Sequence, residues 1–96
     1  MIYADYTYGT DHSKRKSYKN IDNARRAAIV WCKAHKGDFV SFYRSKDSFK
    51  PFGSMVWTKG DKYPSYFMLW NVDDRNYGQG VSEGAYEVRP DGKIRK

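Results

Sequence analysis

Two histidines, a run of cations and nine tyrosines are the residue types in this 96-residue chain that could do chemistry. A metal-independent ribonuclease needs a base, an acid and a cation around one phosphate, and His12, His35, a tyrosine and the basic run supply those types. His35 falls on the apolar stripe of a helical segment, where packing or capping accounts for it, and His12 between Asp11 and Ser13 reads as solvated. A small ribonuclease is therefore the third reading, and no catalytic residue is assigned. Asp73-Asp74 offers oxygen ligands for Mg²⁺, but strand neighbours point oppositely and an Asp pair in a loop is usually a turn. Gly78-Gln79-Gly80 with Gly84 is spaced one residue too long for a phosphate-cradling loop, and no helix follows it. Cys32 with only two histidines falls short of a four-ligand zinc site. No cofactor and no metal are expected.

Phosphate contact is the stronger chemistry. Residues 14–36 hold eight basic residues against Asp22 alone, which accounts for the whole net charge of +7, while the remainder balances 10 basic with 10 acidic residues. Such a cluster raises the local concentration of polyanions by long-range attraction. Lys14, Arg15, Lys16, Lys19, Arg25, Arg26 and Lys33 are each expected to meet a phosphate, with Tyr18 stacking on an unpaired base. None of these groups reads base identity. The sequence has no ribonucleoprotein motif and no paired Cys/His zinc spacing, and it predicts one helix where a helix-turn-helix needs two. The plain alternative is a solvated face, with Lys33 and Lys36 complementing the negative end of the helix dipole. Reversing Lys14, Arg15 and Lys16 to Glu is expected to weaken binding with stability nearly unchanged.

The elements that must position these residues follow from periodicity. Residues 2–8 alternate Ile2, Ala4, Tyr6 and Tyr8 against Tyr3, Asp5 and Thr7, the pattern of a half-buried strand. Residues 9–19 are polar and basic and read as a flexible loop. Ala24, Ala27, Ala28, Trp31 and His35 then fall on one stripe of a helix, capped at Asn20 or Asp22 and closed at Gly37. Arg25, Arg26, Ile29, Lys33 and Lys36 fall on the side facing away from that stripe. Strands follow over residues 39–44, 54–58, 66–72 and 85–89. Tyr66 to Trp70 are apolar on both faces and read as the central strand. Residues 73–84 read as a second flexible loop, and Pro90-Asp91-Gly92 suits the turn of a terminal hairpin.

The expected fold is one α+β domain over residues 1–96, in the order β-α-β-β-β-β, with a single α-helix packed on a mostly antiparallel sheet. One helix leaves the other sheet face uncovered, as a surface for a partner or a homodimer. Nine tyrosines, five phenylalanines and three tryptophans supply a dense core and argue against disorder. A single cysteine indicates a reducing setting. The longest apolar run, residues 27–32, is six residues where a span needs about 20, so no membrane segment is expected. Asp5 and the absence of an apolar region near the start make the cytoplasm the expected setting. The leading expectation is a small non-enzymatic domain that contacts nucleic acid or another polyanion through the basic loop and helix face. The alternative is a protein-binding or inhibitory module, of the kind phage and other mobile elements encode, using the basic patch or the aromatic sheet face.

Overall fold

Alternation along β1 (Ile2–Tyr8) turns Ala4 and Tyr6 into the core and sets Tyr3 and Asp5 on the other side, as the two-residue period of a strand dictates. The structure is a computed structural model that describes residues 1–8, 11–12, 15–48, 50–70 and 81–95. Two short strands come next, β2 (Asp11–His12) and β3 (Lys16–Tyr18), then the helix α1 (Ile21–Ala34) and five further strands. These are β4 (Phe39–Tyr43), β5 (Gly53–Val56), β6 (Ser65–Trp70), β7 (Val81–Val88) and β8 (Ile94–Arg95). Among the described residues all eight strands join one antiparallel sheet in the order β2-β1-β4-β5-β6-β7-β8, with β3 pairing the same edge of β1 further along. One helix against one antiparallel sheet is an α+β arrangement. The Cα radius of gyration is 12.3 Å, as a single globular unit of this length requires, about 12.5 Å.

The sheet face beneath the helix carries Ala4, Tyr6, Val40, Phe42, Met55 and Tyr66, brought into register by the β1–β4, β4–β5 and β5–β6 ladders. Against them α1 buries Ala24, Ala28 and Cys32, with Ile21, Ile29 and Trp31 packed around. The small residues let the helix axis approach the sheet closely. Asn20 is the cap: its side chain accepts from the Asn23 N–H at 2.9 Å. The far end closes one step earlier than expected. His35 donates its N–H to the carbonyls of Trp31 and Cys32, and Gly37 takes the left-handed conformation (φ +96°) beyond it.

Four expectations are corrected. Residues 16–18 are a strand, because Tyr18 packs on the core and the segment pairs with Ile2–Ala4; a strand with one inward residue leaves no alternation to detect. Val81–Gly84 belong to β7 and not to a loop. The middle of the sheet order is β5, and β6 lies beside it with Met68 still 39 % exposed. The helix is also rolled by roughly 60° from the alanine–tryptophan stripe, so that Arg25 is buried and Ile29 packs on the core while Ala27 is only half-buried.

Beyond β7 the chain reverses through Pro90-Asp91-Gly92 into β8, pairing Glu87 with Arg95. Gly92 has φ +87°, and a Cβ there would stand 2.8 Å from Arg26 Cγ and closer still to the Asp22 carbonyl oxygen. The turn is thus seated on the first turn of the helix, which only glycine permits.

Candidate polyanion-binding surface

The cations of the basic segment divide by what they touch. Arg15 donates from Nε and Nη2 to the two oxygens of Asp5, at 2.9 and 3.0 Å, a fork-to-fork pair with both side chains largely buried. Its Nη1 donates to the carbonyls of Ser45, Lys46 and Ser48 at 3.3, 3.0 and 2.8 Å. The guanidinium lies 3.8 Å from the centre of the Tyr43 ring. Arg15 therefore clamps the β4–β5 connection over the outer sheet face, and it does not present itself to a phosphate. That cover explains why Tyr43, on the face opposite the helix, is buried.

Arg25 is only 8 % exposed. It donates from Nε to the Gly92 carbonyl at 2.6 Å and from Nη2 to Asp22 Oδ1 at 3.0 Å, with its guanidinium 5.0 Å from the Tyr66 ring centre. It ties the terminal turn to the helix. Tyr18 is half-buried against the core and shares a hydrogen bond between its hydroxyl and that of Tyr6, so it is not poised to stack on a base. Burial, with that hydrogen bond, pushes the Tyr6 hydroxyl far up from its ordinary value. Arg15, Arg25 and Tyr18 therefore do not belong to the outward-facing set of phosphate contacts: each is engaged by partners inside the fold. Replacing Arg15 by Glu would break an internal network, which overturns the expectation that such a reversal leaves stability unchanged.

Lys16, Lys19, Arg26 and Lys33 are exposed. Lys16 and Lys19 come from β3 and the turn behind it; Arg26 and Lys33 come from the outward helix face, where Val30 between them is 72 % exposed. Arg26 donates to the Asn23 side-chain oxygen, and Lys16 Nζ lies 5.6 Å from the Tyr6 ring centre. Lys36 is exposed as well, 5.2 Å from the Trp57 ring centre. Among the described residues no carboxylate lies within ion-pair distance of any of these five. Asp22, the acid of the segment, is engaged by Arg25. Lys14 lies outside the described residues.

The residues first singled out for catalysis separate in the same way. His35 holds its Nδ1 3.0 Å from the Trp31 carbonyl and stacks on the Trp31 indole with ring centres 4.4 Å apart, a capping and packing role. The side chains of His12 and Trp70, together with Asp73, Asp74 and Gly78-Gln79-Gly80, lie outside the described residues. Cys32 is a buried free thiol whose pKa burial pushes up to about 12. Among the described residues no group of three His, Cys, Asp or Glu side chains could hold a metal ion, and no helix is long and apolar enough to cross a membrane. Sequence reading missed Arg44, an exposed cation 4.5 Å from the Phe52 ring centre beyond the end of β4. Outside the basic run it looked like an ordinary surface charge. No protein-family model, curated protein or solved structure matches the chain.

Proposed function

We propose that the chain is a small non-enzymatic binding domain that contacts the backbone of nucleic acid, or a similar polyanion, through Lys16, Lys19, Arg26 and Lys33, with Lys36 at the margin. The observation that carries this reading is the lack of carboxylate partners for these exposed cations among the described residues, in a segment whose other two arginines are each paired with an aspartate and a backbone carbonyl inside the fold. Exposed lysines and arginines neutralise phosphates and release condensed counterions, and they distinguish no base. The proposed setting is the cytoplasm, with which a buried reduced cysteine agrees.

Fluorescence anisotropy of labelled single- and double-stranded DNA and RNA tests it. With four phosphate contacts, affinity for duplex DNA should fall roughly a hundredfold between about 50 and about 200 mM salt. Weak, non-saturating binding at the lower salt would refute the reading. A protein-binding module is favoured by one observation, the 44 % exposure of Phe39 on the sheet face opposite the helix. Binding through that face would be nearly insensitive to salt.

A further inference from the structure

A cavity of about 470 Å³ opens where the start of α1 meets the ends of β4, β6 and β8. That volume is within the usual range for small-molecule sites, about 300–1,000 Å³. Its polar lining is Lys19, Arg25, Arg44 and Tyr66 with the capping Asn20, and among the described residues that line it there is no carboxylate. Its apolar lining includes Phe52, Met68 and three isoleucines. Asp22, outside the lining, offsets one of the three cations through its bond to Arg25. The Arg25 guanidinium lies 5.0 Å from the Tyr66 ring centre and that of Arg44 lies 4.5 Å from the Phe52 ring centre. Burial raises the pKa of the Tyr66 hydroxyl against the opposing pull of Arg25 and then Arg44, so the hydroxyl stays a protonated donor with both guanidinium groups near it. The Arg25 guanidinium is held in place by Gly92 and Asp22, so it need not be ordered when a ligand arrives. Cations lining an apolar hollow are matched by an anion on an apolar body. Guanidinium groups favour the several oxygens of a phosphate.

We propose that this cavity binds a phosphate monoester carried on a flat apolar ring, with the phosphate among Arg25, Arg44, Lys19 and the Tyr66 hydroxyl, and the ring between Phe52 and Met68. The cavity shares Lys19 with the outer surface, but its other ligands are distinct and it does not require polyanion binding there. Phenyl phosphate is the probe, titrated into the full chain with amide chemical shifts as the readout and with inorganic phosphate, benzyl alcohol and 3-phenylpropionate as comparisons. Saturable shifts at Ile21, Gly53 and Met68 are expected with phenyl phosphate, at an affinity about tenfold or more above each comparison ligand. Arg44→Gln, at an exposed position that leaves the fold intact, should weaken binding about tenfold, and Met68→Glu, which sets a carboxylate at the apolar wall, at least as much. The double variant Lys16→Glu/Lys33→Glu should leave it within about twofold. Equal affinity for inorganic phosphate, 3-phenylpropionate or benzyl alcohol would overturn the proposal, as would an unchanged affinity in Arg44→Gln.

Discussion

Arg15 and Lys16 are adjacent cations with different work. Every nitrogen of the Arg15 guanidinium is a donor to Asp5 or to the β4–β5 connection, whereas Lys16 is exposed. Arg15→Ala leaves the largely buried Asp5 carboxylate and loop carbonyls without their donor, and should cost about 3 kcal/mol in urea denaturation. Lys16→Ala should stay within about 0.5 kcal/mol, and equal effects of the two would contradict the assignment. Their difference was invisible in sequence because the partners of Arg15 lie 10 and 30 or more residues away. A second prediction concerns pH. Cys32, Tyr6 and Tyr66 are all neutral acids whose pKa values burial raises, from ordinary values of 9.0 for the thiol and 10.0 for the hydroxyls. Above those values the unfolded chain loses protons that the folded chain keeps. Stability is therefore fully present below about pH 8.5 and falls as pH rises, by about 1.4 kcal/mol per pH unit for each group ionised only in the unfolded chain. Denaturation midpoints should decline from about pH 9 and more steeply above about pH 10, whereas a level profile to about pH 11 would contradict the burial of these groups.

At the scale of elements, the helix is specified by its cap and by the turn seated on it. Asn20→Ala removes the acceptor for the Asn23 N–H and should cost about 1 kcal/mol. The two glycines beside the helix should behave differently. Gly37 has a left-handed backbone with open space around its Cβ position, so Gly37→Ala should cost about 1 kcal/mol. At Gly92 the same backbone strain is joined by collision with the Asp22 carbonyl and Arg26, and Gly92→Ala should cost about 2–4 kcal/mol. Thermal unfolding of the pair checks the order, and the reverse order would argue against the docked turn. Periodicity was legible where elements are long: β1, the helix and the strands β4 to β6 lie close to where alternation and the alanine spacing predict them. The roll of the helix was not, since Ala27 and Arg25 both flank the alanines and only packing against Tyr66 and Gly92 decides which turns inward. Strand β3 was missed because one inward residue in three carries no period.

Across the whole molecule, a charge excess that is contiguous in sequence separates in space into cations that hold the fold and cations that face outward. Arg15 fastens the outer sheet face and Arg25 the terminal turn, while Lys16, Lys19, Arg26 and Lys33 are exposed on β3, the turn behind it and the outward side of the helix. The charge cluster is legible in the sequence, but its division is not, because it is set by Asp5, Asp22 and Gly92 meeting their arginines in the fold. The most direct test compares Lys16→Glu/Lys19→Glu/Arg26→Glu/Lys33→Glu with Arg15→Ala, measuring duplex-DNA affinity across salt and unfolding free energy for each. The account predicts that the fourfold reversal abolishes salt-dependent binding and changes stability by no more than about 2 kcal/mol, whereas Arg15→Ala loses about 3 kcal/mol and, at a temperature where it is still folded, keeps its affinity and salt slope. Undiminished binding by the fourfold variant, or loss of affinity in folded Arg15→Ala without loss of stability, would contradict it.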